Sequence, residues 1–221
     1  MSAHLRTPRD ERRRRLGQNF LRPEFADRIV AEADFRPGDL VVEFGAGLGA
    51  ITIALAKRQV DVVAIEIDPV WVARLRDRVG GAFQDKVRVV EGDFLSLRLP
   101  TEPFRVVGSL PFGYTTDVLR RLLDDPRVTL ERADLIVQWA VALKRVALPP
   151  STRLSTTWVP WWEFRLGRHI PASAFRPVPR VDSGVLIITP RKPPILPPSM
   201  ARSYSEFVRT RWPFDPSVSG R

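Results

Sequence analysis

A chain of 221 residues with 44% hydrophobic residues is long enough to form one catalytic domain and a small appendage. The sequence contains no cysteine, which excludes disulfides and cysteine-ligated metals, and no apolar run approaches the roughly 20 residues that a membrane-spanning helix needs. No apolar stretch follows the basic first 20 residues, as it would in a secretory signal, so we expect a cytoplasmic protein without a membrane or metal partner.

The net charge of +10 is concentrated in the two flanks of the sequence. Residues 1–20 carry +4 and residues 139–192 carry +7, whereas residues 21–138 sum to −3. Because each phosphate that a protein neutralises releases counterions, this segregation favours a nucleic acid as the partner. The alternative is a solvated basic surface that serves solubility.

Residues 24–138 alternate between helical and strand-like patterns. Hydrophobic periodicity and helix-start signals predict three helices, at 26–31, 50–57 and 70–79. Short apolar runs predict five strands, at 40–43, 62–65, 87–90, 104–107 and 135–137. Strands that alternate with helices indicate βαβ units, so the predicted fold class is α/β with a parallel sheet.

The pattern changes after about residue 147, at the breaker cluster Leu148-Pro149-Pro150-Ser151. Two further strands are predicted at 156–165 and 184–189, and the proline-containing segment 171–182 between them is predicted to be a loop. The proline-rich stretch from residue 190 is typical of a linker, and 201–212 is predicted to form one short helix. We therefore expect a basic N-terminal arm (1–20), a catalytic domain (21–190) and a linker with a short C-terminal helical remnant (191–221).

A glycine loop joins the first predicted strand to the helix at 50–57. Gly45, Gly47 and Gly49 stand at alternate positions, and glycine lets a backbone turn tightly and approach a ligand closely. Such a loop indicates a nucleoside cofactor. Its spacing also fits the dinucleotide fingerprint, so NAD and S-adenosylmethionine are both candidates.

Acidic residues follow the next two strands. Glu66 lies 17 residues after Gly49, and a carboxylate there can accept hydrogen bonds from both ribose hydroxyls of either cofactor. Asp93 follows the strand at 87–90, where it is predicted to accept a hydrogen bond from the adenine amine while Phe94 covers the ring. The alternative is an aspartate that only caps a turn.

The fourth predicted strand runs into Ser109-Leu110-Pro111-Phe112. Ligands in an open α/β sheet lie beyond the carboxyl ends of the strands, so this motif is predicted to lie beside the cofactor. The side-chain oxygen of Ser109 and the carbonyl oxygen of Leu110 can accept hydrogen bonds from the two hydrogens of an adenine amine and free its lone pair. Pro111 stiffens the turn, and Phe112 offers a face on which a base can stack.

These motifs, in this order, resemble the erythromycin-resistance (Erm) branch of the rRNA adenine N6-methyltransferases over roughly residues 12–192. The segments 13–21 and 175–183 are similar to the family's N-terminal motif and late loop. The resemblance implies a Rossmann-like seven-stranded S-adenosylmethionine methyltransferase sheet with helices on both faces and a short C-terminal helical appendage. It also implies that Phe175 packs on the flipped target base opposite Phe112. The implied cofactor contacts are Asn19, Leu21, Gly45, Gly47, Gly49, Glu66, Asp93, Phe94 and Ser109.

The activity that the resemblance implies is N6-methylation of an adenine in 23S rRNA before ribosome assembly is complete. It would be catalysed by a monomeric enzyme that confers macrolide-lincosamide-streptogramin B resistance. Position 109 departs from the family pattern, which has Asn there, although a serine oxygen still accepts a hydrogen bond. Three alternatives stay open: a housekeeping small-subunit rRNA adenine dimethylase, a cofactor-binding relative with weak or no catalysis, and a DNA adenine methyltransferase, whose target-recognition insert this sequence lacks.

Basic residues of both flanks are the predicted RNA contacts: Arg12, Arg13, Arg14, Arg15, Lys144, Arg145, Arg176 and Arg180. For the run at 12–15 the alternative is a solvated tail. Trp158, Trp161 and Trp162 are predicted to pack in the core rather than stack on RNA bases. His169 is predicted to lie at the surface.

Overall fold

Strands and helices alternate through residues 19–212, the part of the chain that the computed structural model describes. The strands are β1 (Phe20–Leu21), β2 (Leu40–Phe44), β3 (Asp61–Glu66), β4 (Val87–Glu91), β5 (Phe104–Ser109), β6 (Leu130–Gln138), β7 (Trp162–Ile170), β8 (Phe175–Arg176) and β9 (Ser183–Pro190). The helices are α1 (Pro23–Glu32), α2 (Ala50–Ala56), α3 (Pro69–Val79), α4 (Thr115–Leu123), α5 (Trp139–Val146), α6 (Arg153–Trp158) and α7 (Ala201–Arg211).

Seven of these strands form one sheet in the order β4-β3-β2-β5-β6-β9-β7. The first five run parallel, and β9 lies antiparallel between β6 and β7. The chain builds from β2 through β3 to β4 and then returns to place β5 on the other side of β2. The carboxyl ends of β2 and β5 therefore flank a topological switch point, where ligands bind in open α/β sheets. The predicted α/β fold with a seven-stranded sheet is confirmed.

Helices cover both faces of the sheet, which explains why its central strands are mostly apolar, with Glu43 in β2 and Arg105 in β5 as exceptions. Ile29 of α1, Leu55 of α2 and Leu75 of α3 belong to one buried cluster. Leu119 of α4 and Trp162 of β7 belong to a second buried cluster. The sheet is thus held rigidly between two hydrophobic layers, and its strand ends are fixed positions from which side chains can form a site.

The prediction of a strand at 156–165 is wrong in its first half. Residues 153–158 form α6, and β7 begins only at Trp162. Thr152 starts this helix, because its side-chain oxygen accepts a hydrogen bond from Ser155 N at 3.2 Å and satisfies a donor of the first turn. The local cap outweighs the strand preference of the β-branched Thr156 and Thr157.

The three tryptophans of this region pack in the core, which confirms their predicted role. Trp158, Trp161 and Trp162 are 1%, 4% and 1% exposed. Their indole N–H groups donate hydrogen bonds of 2.7, 2.8 and 3.1 Å to, respectively, Asp124 Oδ1, Leu196 O and Leu123 O. Buried indoles with satisfied donors leave no ring face for an RNA base.

The structure contains two helices that the sequence patterns do not predict: α4 follows β5, and α5 follows β6. The helix predicted at 201–212 is confirmed as α7, and His169 lies at the surface as predicted, with 47% of its side chain exposed. The loop predicted at 171–182 contains the short strand β8, which pairs with the distant β1.

Within residues 19–212, no helix combines the length and apolarity that crossing a membrane requires. The domain boundaries at residues 20 and 190 stay a prediction.

Candidate active site

A cavity lies at the carboxyl ends of β2, β3 and β5, at the switch point of the sheet. Most residues that the sequence predicted for cofactor or target base line it: Asn19, Leu21, Gly45, Gly47, Glu66, Phe94, Ser109, Leu110, Pro111, Phe112 and Phe175. Gly49 and Asp93 are not part of the lining. The lining also includes residues for which the sequence predicted no individual contact: Phe20, Glu43, Ala46, Leu48, Ala50, Ile51 and Ile67.

The glycines after β2 have left-handed backbones, with φ of +73° at Gly45, +52° at Gly47 and +77° at Gly49. A Cβ on Gly45 would lie 3.7 Å from the Ser109 carbonyl oxygen, within the space between the loop and β5. A Cβ on Gly49 would lie 2.4 Å from Leu75 Cδ1. Gly45 therefore keeps the cavity open, whereas Gly49 permits the close packing of α3.

Glu66 is held in the cavity wall by backbone amides. Its side chain is 5% exposed, with Oε2 accepting a hydrogen bond from Gly47 N at 2.8 Å and Oε1 accepting one from Asp68 N at 2.9 Å. Burial raises the pKa of this carboxyl above its ordinary value, and the backbone hydrogen bonds oppose that rise. Each carboxylate oxygen has a second lone pair, so Glu66 can still accept hydrogen bonds from the cavity.

Glu43 is a second carboxyl group in the cavity wall. It is 1% exposed and accepts a hydrogen bond from Thr52 Oγ1 at 2.5 Å. Burial raises its pKa to about 8, the Thr52 hydrogen bond opposes the rise, and the nearby Glu66 adds to it. Its signal in the sequence is an acidic residue within the otherwise apolar strand β2. At neutral pH the Glu43 carboxyl is mainly protonated, which limits the negative charge of the wall.

Asp93 lies beside the cavity and caps a turn. Its Oδ1 accepts a hydrogen bond from Leu95 N at 2.9 Å, which is the geometry of the turn-capping alternative. The next residue, Phe94, lines the cavity and stacks on Phe44 with ring centroids 5.3 Å apart. The predicted contact between Asp93 and an adenine amine and the predicted cover of the ring by Phe94 both stay predictions.

The motif after β5 contains two oxygen acceptors that the fold leaves without a hydrogen bond. The Pro111 and Phe112 carbonyls are engaged within the turn, accepting hydrogen bonds from Tyr114 N at 2.9 Å and Thr115 Oγ1 at 3.3 Å. In contrast, neither Ser109 Oγ nor the Leu110 carbonyl makes a hydrogen bond within residues 19–212. Both residues line the cavity, and the predicted role of these two oxygens as acceptors for an amine stays a prediction.

The N-terminal motif and the late loop form one wall of the cavity. β1 pairs antiparallel with β8, with Phe20 opposite Arg176 and Leu21 opposite Phe175. A further hydrogen bond joins Arg22 N to Ala174 O at 2.9 Å. This pairing brings the predicted cofactor contact Leu21 and the predicted base contact Phe175 side by side, and Phe175 is 2% exposed.

The predicted RNA contacts lie in different surroundings. Arg176 and Arg180 are exposed in the late loop beside the cavity, and Lys144 is exposed near the end of α5. Arg145 is engaged within the fold: its guanidinium donates hydrogen bonds to Thr152 Oγ1 at 2.8 Å and to Ser155 Oγ at 3.1 Å. Burial lowers the pKa of Arg145. Arg12, Arg13, Arg14 and Arg15 lie outside the described residues. RNA contact by this whole set stays a prediction.

No group of three or more His, Asp or Glu residues within the described part of the chain is arranged to hold a metal ion. The fold and cavity are those of an S-adenosylmethionine-dependent methyltransferase: a seven-stranded sheet with an antiparallel strand near one edge, a glycine loop after its first strand and a buried acid after its second. Residues 9–212 match the profile of the family described as ribosomal RNA adenine dimethylase. The chain belongs to this family.

Relatives of known name agree with this family assignment. The chain is 42% identical over 207 residues to an rRNA methyltransferase of Streptomyces thermotolerans, covering 93% of this chain and 68% of the relative. It is 40% identical over 209 residues to the mycinamicin-resistance protein MyrB of Micromonospora griseorubida, covering 94% of this chain and 65% of that protein. Its structure resembles that of the 23S rRNA methyltransferase ErmE with a TM-score of 0.75 and 32% identity, covering 86% and 78% of the two chains. The chain thus spans about two thirds of the length of the first two relatives.

Proposed function

We propose that this chain transfers a methyl group from S-adenosylmethionine to N6 of an adenine in 23S rRNA and thereby confers resistance to macrolide, lincosamide and streptogramin B antibiotics. The observation that carries the proposal is that Ser109 and Leu110 line one cavity together with the aromatic residues Phe112 and Phe175. Ser109 Oγ and Leu110 O make no hydrogen bond within residues 19–212. The names of the relatives MyrB and ErmE support the RNA target and the resistance.

The cavity fits the cofactor at its glycine-loop end. The space that a Cβ on Gly45 would fill is open, so a ligand can approach the backbone there. Glu66, which is held by two backbone amides, would accept hydrogen bonds from the ribose hydroxyls, and Phe94 would cover the adenine ring. Asn19 and Leu21 would close the other side, with Asp93 at the margin of the site. When bound, S-adenosylmethionine supplies an electrophilic methyl group on a sulfonium sulfur.

The residues after β5 would prepare the acceptor nitrogen. The lone pair of an adenine amine is delocalised into the ring, which makes the nitrogen a poor nucleophile. Ser109 Oγ and Leu110 O would each accept a hydrogen bond from one amine hydrogen and hold the nitrogen closer to tetrahedral geometry, where the lone pair is localised. After transfer the nitrogen carries an extra proton, and the neutral oxygens cannot keep it, so it leaves to water.

Two aromatic side chains would hold the flipped base in this geometry. Phe112 follows the acceptor motif, and Phe175 faces the same cavity from the paired strands β1 and β8. Stacking a base between aromatic rings is worth roughly 1–3 kcal/mol per base and offsets part of the cost of unstacking it from the RNA. Arg176 and Arg180, which are exposed, would contact the flanking phosphates.

Further features of the function belong to the same proposal. The target is rRNA before ribosome assembly is complete, and the enzyme acts in the cytoplasm as a monomer. Residues 1–20 serve as a basic RNA-binding arm, 21–190 as the catalytic domain and 191–221 as a linker with a short helix. Methyl transfer to protein-free 23S rRNA and to assembled large subunits, measured side by side, would test whether the enzyme acts before assembly is complete. We expect only the free RNA to be methylated.

The decisive experiment is methyl transfer from labelled cofactor to protein-free 23S rRNA, with 16S rRNA and double-stranded DNA as parallel substrates, followed by mapping of the modified base. We expect label only in 23S rRNA, at N6 of an adenine. Label in 16S rRNA would indicate a housekeeping small-subunit dimethylase, and label in DNA a DNA methyltransferase. Binding of cofactor and RNA without any transfer would indicate a non-catalytic relative.

A further inference from the structure

A polar clasp closes the base of the loop that carries Phe175. Asp182, at the end of this loop, accepts a hydrogen bond through Oδ1 from Ala172 N at 2.8 Å, at the loop's beginning. Its other carboxylate oxygen, Oδ2, lies 3.0 Å from His169 Nε2, near the end of β7. Its backbone carbonyl accepts a hydrogen bond from Trp139 N at 3.0 Å, where α5 begins. One residue therefore joins β7, α5 and both ends of the loop.

The clasp is seated against a packed aromatic ring. The Trp139 and His169 rings meet edge to face with centroids 4.7 Å apart. Trp139 in turn lies so close to Gly184 that a Cβ there would be 2.6 Å from Trp139 Cε3. Asp182 thus contacts a surface that is already fixed by β9 and α5, which makes it a rigid anchor for the loop.

Only two residues separate the clasp from the residue that it supports. Ala172 begins a 3-10 turn that ends at Ala174, and Phe175 follows directly. Phe175 is 2% exposed and lines the cavity, whereas Asp182 does not line it and keeps 45% of its side chain exposed. Asp182 therefore cannot touch a base in the cavity, and any effect on the reaction has to pass through the loop.

We propose that Asp182 is a positioning residue that holds Phe175 against the target base through the hydrogen bond to Ala172 N. This inference rests on the proposed function, since it needs a base in the cavity. Without the carboxylate, Ala172 N loses its acceptor and the start of the loop gains conformational freedom. The Phe175 ring then occupies a wider range of positions. β1 still pairs with β8, so the loop stays attached but less precisely placed.

The test compares Asp182→Ala and Asp182→Asn in the full chain, with Asp125→Ala as the matched control. Asp125 also caps a turn, accepting a hydrogen bond from Arg127 N at 3.1 Å. It is exposed in the loop that leads into the amino end of β6, whereas the cavity lies at the carboxyl ends of the strands. For Asp182→Ala we expect kcat on protein-free 23S rRNA to fall about tenfold or more, with KM for the RNA nearly unchanged because phosphate contacts remain. Asp182→Asn keeps an oxygen for Ala172 N and should stay within about threefold of the wild type. Asp125→Ala should match the wild type.

A ligand-binding measurement and a hydrogen-exchange measurement distinguish a loss of Phe175 positioning from a general folding defect. The affinity for S-adenosylhomocysteine should stay within about twofold of the wild type in Asp182→Ala, because the cofactor side of the cavity does not depend on the clasp. Amide hydrogen exchange in peptides covering 171–176 should accelerate in Asp182→Ala and not in Asp182→Asn. Should Asp182→Ala fail to fold, Asp182→Ser takes its place in the same measurements, because its shorter polar side chain also deprives Ala172 N of the carboxylate acceptor.

Three results would overturn the inference: a wild-type kcat in folded Asp182→Ala, an Asp182→Asn variant as impaired as the alanine variant, or a parallel loss of cofactor affinity. A wild-type protein that methylates none of the RNA substrates would refute the proposed function instead. In that case the exchange experiment still shows whether Asp182 holds the loop, so the two failures remain distinguishable.

Discussion

Replacement of Glu43 by glutamine should make the protein more stable at alkaline pH. The wild-type carboxyl is 1% exposed, and its pKa is raised to about 8 in the folded state, mainly by burial, from an ordinary value of 4.5. Between these two pH values the folded state holds a proton that the unfolded state has lost. The free energy of unfolding therefore falls by about 1.4 kcal/mol for each pH unit in this window, and above pH 8 the loss is constant. The glutamine side chain would carry no charge and would keep an oxygen for Thr52 Oγ1.

The assay is urea denaturation of Glu43→Gln and the wild type at pH 6 and pH 8.5, with the exposed Glu102→Gln as the control. We expect the wild type to lose several kcal/mol between the two pH values, and Glu43→Gln to lose much less. The remaining loss reflects Glu66, whose pKa is also raised by burial and which acts with the same sign. Equal pH dependence in Glu43→Gln and the wild type would refute the conclusion that Glu43 is protonated in the folded state at neutral pH.

Three further predictions concern ligand binding and catalysis. Glu66→Ala should weaken S-adenosylhomocysteine binding by about 1–3 kcal/mol in calorimetry, because ribose hydroxyls and the Gly47 amide lose an acceptor; unchanged affinity would contradict the assignment. Ser109→Ala should remove most methyl transfer, and Ser109→Asn should raise kcat roughly 10- to 100-fold with little effect on cofactor affinity, since a longer arm aims an acceptor at the amine. Wild-type activity in Ser109→Ala would mean that its oxygen is not an amine acceptor. Neutralising both Arg176 and Arg180 should lower the log–log salt slope of RNA affinity by up to about two units, and an unaltered slope would show that neither contacts phosphate.

Contiguous motifs made much of the fold and of the cofactor side of the site predictable from the sequence. The glycine loop, Glu66 and the Ser109-Leu110-Pro111-Phe112 motif each occupy a strand end, and strand ends of a parallel sheet meet at one edge. A correct prediction of short apolar strands therefore already places these residues together. The same reasoning fails for Thr156 and Thr157, where a single cap at Thr152 decides between helix and strand.

Contacts between distant segments could not be predicted in this way. The two-residue strands β1 and β8 are too short for any periodicity and exist only because they pair with each other. The sequence shows Glu43 only as an acidic residue within an apolar strand, whereas its raised pKa follows from complete burial, which is a property of the folded core. Gly49 fits the cofactor pattern, yet its Cβ position is limited by Leu75 of another helix.

The pairing of β1 with β8 has a consequence for how the site forms. Asn19 and Leu21, on the cofactor side, and Phe175, on the base side, belong to adjacent segments of one small sheet, although they are far apart in the sequence. Closing a loop of that length is entropically costly, and two short strands cannot compensate for it on their own. The pairing therefore depends on the folded seven-stranded sheet, whose strands and helices bring the two segments together. In the proposed function, cofactor and target base therefore share a wall that exists only in the folded domain. A substitution in either strand is then expected to change the binding of both ligands.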